Sequence, residues 1–280
     1  MRTNRRERAR TAAGRARRAG RRRPLLPYGV RHAVLQAAIW AAFSLAYEGA
    51  RGLARGSGAD AVDHARRVVR LEQHLGGLIE RDLQRPVLDP AGVVLLHAVN
   101  WTYWLSQFAV VLVAVVWVYL RRPDAYPRLR NTIIVANTIG LAGYVLFPLA
   151  PPWLVPGLGL VDTLARTEPL NHRTAIVQLV ANPYAAMPSL HAADAIIVGV
   201  TLAALVRPLS LRLAAGLWPA WVCWALVATG NHFWLDEAAG AVLAGLAAWL
   251  VRRRAAEQLL RRAPGAAGGR RPRTRWLPLA

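Results

Sequence analysis

Apolar positions in this chain gather in long runs instead of alternating with the period of a half-buried strand or helix. Six of the runs approach the roughly twenty residues that a helix needs to cross a bilayer. They lie near residues 30–50, 92–120, 131–150, 189–206, 211–231 and 233–251. The first is the weakest, because Glu48 and Arg51 crowd its end, and the second is long enough to tilt or to project from the membrane. The region 51–91 is patterned differently. Its middle, Val62 to Leu83, sets Val68, Val69, Leu71, Leu75, Leu78 and Ile79 among many charges, as an amphipathic helix does. It holds too many charges to cross lipid and is predicted to lie on the membrane surface or to cap the bundle. The pattern predicts an all-α, polytopic membrane protein: a six-transmembrane-helix bundle with an amphipathic interfacial helix.

Composition sharpens this picture. The 280 residues are 55% hydrophobic yet carry a formal net charge of +21, a combination that suits a membrane protein with basic tails better than a soluble one. All 36 basic residues are arginine, which fits the codon bias of a GC-rich genome and implies no arginine chemistry by itself. Eleven arginines fall within the first 23 residues. Such a run can bind nucleic acid or anionic lipid headgroups, or it can be a disordered cytoplasmic tail. The apolar segment directly after it favours the tail, and no nucleic-acid partner is expected. Three regions follow: a basic tail over 1–28, a membrane domain over 29–251 and a second basic tail over 252–280. Cys223 is the sole cysteine, which excludes an intrachain disulfide or a cysteine-cluster metal site.

The arginines also predict orientation. The N-terminal tail, the 121–130 loop (Arg121, Arg122, Arg128, Arg130), the 207–212 turn (Arg207, Arg212) and the tail from Arg252 are all basic, and six spans place them on one side. The positive-inside rule makes that side the cytoplasm, so both termini are expected there in a multi-pass cell-membrane protein. The arginine-rich 51–91 region falls outside, against the rule, although Asp and Glu compensate it.

This topology brings the chemistry together. Pro188-Ser189-Leu190-His191 starts the fourth span, and His232-Phe233-Trp234-Leu235-Asp236 joins the fifth to the sixth, all at the extracytoplasmic face with the 151–188 loop. Ionisable groups in a bilayer protein are costly and are functional candidates by default. The H-x-x-x-D spacing suits two residues on one helical face, with Asp236 holding one ring nitrogen of His232 and the other free to attack. Pro188 and Ser189 read as a helix start, with Ser189 as N-cap or in the first turn, and a helix N-terminus also binds phosphate. Asp194 shares a face with His191 and either pairs with it or serves packing. A structural His232–Asp236 pair and a capping His191 are the plain alternatives. Two histidines and a carboxylate can also hold zinc or iron, but no further acidic cluster surrounds them, so neither metal nor cofactor is expected.

These residues resemble a known family. Pro188-Ser189-Leu190-His191 and His232-x-x-x-Asp236 look like the second and third signature motifs of the type 2 phosphatidic acid phosphatase superfamily. Phe147-Pro148-Leu149-Ala150-Pro151-Pro152-Trp153, with leucine before His191, is similar to the branch containing the fungal inositol phosphorylceramide synthase and its bacterial relatives. The resemblance covers roughly 92–251. It implies that His232 attacks phosphorus to form a phosphohistidine, that Asp236 orients it, that His191 protonates the leaving alcohol, and that water or another alcohol resolves the intermediate without metal.

The chain departs from the wider superfamily in two places. The first motif, a lysine followed seven residues later by Arg-Pro, is not evident, and Leu226 replaces the arginine six residues before the nucleophile. A transferring phosphoryl group carries charge that must be balanced. Arg166, His172 and Arg173 in the 151–188 loop are the substitutes on the expected face, with Ser189 at the helix start. Tyr184 and Trp153 either line a headgroup pocket or belong to the interfacial aromatic belt. The expected function is transfer of a phospho-polyol headgroup from a phospholipid, with a lipid phosphate phosphatase as the alternative. A non-enzymatic lipid transporter or binder and a Ser189-based intramembrane hydrolase are further rivals. The first should show internal repeats, and none is visible; the second lacks a Gly-x-Ser-x-Gly elbow.

Overall fold

The computed structural model describes residues 26–53, 58–167 and 184–262. Among them every regular element is helical. The order is α1 (Gly29–Leu53), α2 (Gly58–Leu75), α3 (Glu80–Leu88), α4 (Val93–Leu105), α5 (Val111–Arg121), α6 (Tyr126–Leu146), α7 (Leu190–Leu205), α8 (Leu209–Ala228) and α9 (Trp234–Arg262). A π-helical turn, Ser106–Val110, joins α4 to α5, so Pro90–Arg121 forms one helical rod of 32 residues.

Among the described residues, four helices are long and apolar enough to cross a membrane: Pro90–Arg121, Tyr126–Leu146, Leu209–Ala228 and Trp234–Gln258. The described chain is thus all-helical, with several candidate spans. Leu190–Leu205 is apolar but shorter, and Gly29–Leu53 has the length yet carries Arg31, Glu48 and Arg51 and is not among the four. Two boundaries differ most from the sequence reading. The third span starts at Tyr126, ahead of the expected 131, because Pro127 suits a first helical turn. The last helix continues to Arg262, past the expected end at 251.

The core lies where α5, α6, α7 and α9 meet, around Val118, Ile133, Leu190, Ile197 and Leu243. Helix α1 joins it through polar contacts: Arg130 donates to Gln36 Oε1 (2.6 Å) and Trp40 Nε1 donates to the Tyr126 hydroxyl (3.1 Å). Helices α7 and α8 pair closely, since a side chain at Gly199 would meet the Ala215 carbonyl and the Pro219 ring.

The amphipathic region is where the sequence reading needs correction. A single helix over Val62 to Leu83 was expected. The structure has two, because Gly76 and Gly77 take φ of +144° and +108°, values that end a helix and favour glycine. The buried face of α2 is Ala61, Ala65, Val68 and Glu72, while Leu71, Leu75 and Ile79 are exposed. That face packs on Leu149, Ala150, Val155, Leu158 and Phe233. Helix α2 therefore caps the end of the bundle where the signature residues lie.

Candidate active site

Short segments held by backbone and buried polar contacts build the site. Leu149 N donates to Tyr184 O (2.8 Å), and an isolated bridge joins Leu149 to Ala185, laying the proline-rich segment beside the approach to Ser189. Ala150 N donates to Ala61 O (3.1 Å) and Trp153 N to Gly230 O (3.3 Å). Gln84 of α3 donates to Val161 O and Ala228 O and accepts from Val161 N. Asn100 of α4 donates to Thr163 O and the Thr167 hydroxyl. Buried polar groups in a helix bundle must find partners, and here the loop 147–167 supplies its carbonyls. Gly230 turns the chain with φ +78°, and a Cβ there would strike Val161 O, so the bend preceding His232 requires glycine.

Ser189 is the N-cap of α7. Its hydroxyl accepts from Ala192 N (3.2 Å), and it is fully buried. Its own N–H donates to Asp236 O (3.1 Å), which ties the two motifs directly. His191 and His232 face each other with ring centroids 5.8 Å apart and planes inclined by 68°. His191 is half-buried at the start of α7, and His232 is buried.

The His232–Asp236 relation differs from the predicted one. His232 lies in the bend before α9, not on the helix, so the two residues do not share a helical face. The bend still brings them together: His232 Nδ1 stands 3.4 Å from Asp236 Oδ2 and 3.8 Å from Glu237 Oε1. At those separations the ring is near two carboxylates without a tight hydrogen bond to either. Asp236 Oδ2 accepts from Phe233 N (3.0 Å), the reach-back of a capping box.

Both oxygens of Asp194 accept from Asn137 Nδ2 (3.0 and 3.2 Å), so this buried carboxylate links α7 to α6. Leu226, standing where an arginine was expected, is buried in the apolar contact of α8 with α7. Trp153 Nε1 donates to Asn231 Oδ1 (3.3 Å), next to His232. Tyr184 packs against Gly58 at the start of α2. Arg166 closes a 3-10 turn, Leu164–Arg166, and its side chain is exposed. His172 and Arg173 lie outside the described residues. Among the described residues, no three His, Cys, Asp or Glu side chains are grouped to hold a metal ion.

Sequence reasoning missed three contributors. Tyr103 of α4 places its ring 4.5 Å from that of His191 and 6.4 Å from that of His232, and an isolated tyrosine in an apolar run carries no motif. Glu237 was passed over beside Asp236. The third is the pair Glu72 and Glu80, read as ordinary charges of an amphipathic helix; both are fully buried at the start of α9.

The fold and the paired histidines define a class: a helical membrane enzyme with facing imidazoles at the capped end of its bundle. A family model described as the PAP2 superfamily matches residues 66–250. The chain belongs to that superfamily and is a PAP2-type enzyme. Among solved structures it is similar to that titled "Crystal structure of Aquifex aeolicus LpxE", at 16% identity over 65% of this chain and 95% of that one, with a TM-score of 0.48. No curated protein sequence matches it.

Proposed function

We propose that this protein is a lipid phosphotransferase that moves a phospho-polyol headgroup from a phospholipid to an alcohol acceptor through a phosphohistidine on His232. The observation that carries the reading is the pair of facing imidazoles, 5.8 Å apart, with Asp236 and Glu237 beside Nδ1 of one of them. His232 attacks phosphorus as the neutral imidazole, through the nitrogen that the carboxylates leave free. Positive charge then develops on its ring, and Asp236 stabilises that charge most in the transition state. His191 donates a proton to the leaving alcohol, and the same group deprotonates the incoming alcohol in the second half-reaction. Ser189 and the start of α7 bind the phosphoryl oxygens, with Arg166, His172, Arg173 and Tyr184 as the polar groups of the loop.

Two features support transfer over hydrolysis. Helix α2 and the proline-rich segment form an apolar cover with Phe233 over the signature residues, which suits exclusion of water. A cavity of about 1090 Å³, lined among others by Trp40, Phe43, Phe108 and Val111, has Asp194 in its wall, one helical turn from His191. Such a space suits a lipid chain. Six spans, with both termini cytoplasmic, α2 at the outer interface and the site extracytoplasmic, complete the reading.

Labelled phospholipid donors, supplied with and without lipid alcohols, test it by product partition. Headgroup transfer is expected to exceed release to water. Quantitative release to water, unaffected by every acceptor, would make the protein a lipid phosphate phosphatase. His232→Ala is expected to abolish turnover, and Asp236→Asn to lower it by about 10²–10⁴. Near-normal turnover in His232→Ala removes the mechanism.

A further inference from the structure

Helix α9, which carries Asp236, begins in an unusual way. The first N–H groups of a helix have no partners within it. Here three consecutive ones are each taken by a carboxylate. Phe233 N donates to Asp236 Oδ2 (3.0 Å), Trp234 N to Glu80 Oε1 (3.1 Å) and Leu235 N to Glu72 Oε1 (3.0 Å). Two of those carboxyls come from distant chain, one from the last turn of α2 and the other from the first residue of α3. Both are fully buried, and their second oxygens, Oε2, are buried too and meet no other donor among the described residues.

We propose that Glu72 and Glu80 act together as positioning residues for His232 and Asp236, sharing one proton between them while they clamp the first turn of α9 from outside. The inference rests on the reaction assigned to His232 above. Its geometry stands apart from that reaction. Adjacent amides of one helical turn bring the two acceptor oxygens side by side. Two such carboxylates cannot both ionise in a buried place without a large penalty. One proton between the Oε2 atoms satisfies both and leaves the pair a single negative charge, beside Asp236, at the positive end of the helix. Burial, and then Glu80 beside it, push the Glu72 carboxyl up to about 9, in accord with a retained proton. The clamp fixes where α9 starts, and hence where Asp236 stands against the bend that holds His232. Because α2 supplies Glu72, the same contact locks the cap over the site.

The chemistry of the pair sets the test. In Glu72→Gln the amide oxygen still accepts from Leu235 N–H, and the amide nitrogen donates to Glu80 as the shared proton did. In Glu72→Ala both contacts vanish. Purified full-length protein in detergent is assayed with a labelled phospholipid. Glu72→Ala is expected to lower kcat by about 10²-fold, the scale of a misplaced reacting group, with KM little changed. Glu72→Gln is expected to recover most of that loss, whereas Glu72→Gln/Glu80→Gln, with two amide groups facing each other, is not. Equal damage from Gln and Ala at position 72 overturns the shared proton, and undiminished kcat in Glu72→Ala overturns the positioning role. Infrared difference spectra give a readout that needs neither substrate nor the Ala variant. In the spectrum of the wild type minus that of Glu72→Gln at neutral pH, the carbonyl band of one protonated carboxylic acid is expected. Its absence from that difference refutes the pair even if the assigned reaction holds, and its presence survives if the reaction proves different.

Discussion

Gly240 gives a sharp test of how the two motifs are held. It lies on α9 one turn beyond Asp236 and faces the first turn of α7. A Cβ at this position would collide with the Ser189 carbonyl oxygen and stand 3.0 Å from the Ala192 Cβ. Carbon atoms rest at about 3.5–4.0 Å, so the two helices must separate by about 0.5–1 Å to admit one methyl group. No flexible side chain can absorb the strain, because the obstacles are backbone and a Cβ. The separation acts along the contact in which Ser189 N donates to Asp236 O at 3.1 Å, and it carries His191 away from His232. Overpacking of this kind costs about 1–3 kcal/mol. The better helix propensity of alanine offsets about 1 kcal/mol of that cost. Gly240→Ala is therefore expected to fold with a slightly lower Tm. Its turnover should fall by about 10²-fold, as misplacement by about 1 Å does to a reacting pair. Gly245, on the same helix, has nothing within 4 Å of its would-be Cβ, so Gly245→Ala should leave turnover unchanged and stability equal or higher. The assay is single-turnover release of labelled product from a phospholipid in detergent, with thermal unfolding of the same samples. Wild-type turnover in Gly240→Ala would refute the claim that close approach of α9 to α7 sets the site.

Three further outcomes are expected. Glu72, raised from 4.5 to about 9 chiefly by burial and then by Glu80, holds a proton in the folded protein that the unfolded chain releases. Its stabilising effect is full below pH 4.5 and is lost as pH rises toward about 9. The Tm should therefore fall between pH 6 and pH 9 more steeply in the wild type than in Glu72→Gln, and equal slopes would contradict the assignment. Activity should survive EDTA, since His232 and Asp236 are needed as a pair; loss on chelation, restored by one divalent ion, would replace the nucleophile reading with a metal one. In a Cys223→Ser background, a cysteine at Ala165 should react with an impermeant thiol reagent in intact cells and one at Arg10 should not, and the reverse pattern would invert the topology.

Local pattern alone carried a large part of this protein. Apolar runs of spanning length announce helices whatever their neighbours, because an apolar stretch in lipid must satisfy its backbone internally. Ser189 was legible as a helix cap, and His191, His232 and Asp236 as residues that the fold would bring together, because short motifs place chemistry at helix ends. Tertiary structure decided what contact alone can decide. Nothing in the charges of α2 and α3 distinguishes Glu72 and Glu80 from their solvated neighbours until the start of α9 arrives with two free N–H groups. Sequence left Asp194 to pair with His191 or to serve packing, and only the fold decides for packing, because its carboxylate meets Asn137, 57 residues away. Tyr103 stands in an unmarked apolar run and meets the distant His191 only because tertiary packing brings the two rings together. The helix over 62–83 broke at Gly76 and Gly77, since periodicity records which residues prefer burial but not where the chain must turn to deliver them. His232 left the helix for the same reason: the Gly230 bend and the carboxylates received by α9 set its first residue at Trp234, and spacing in sequence cannot report a boundary that distant side chains impose.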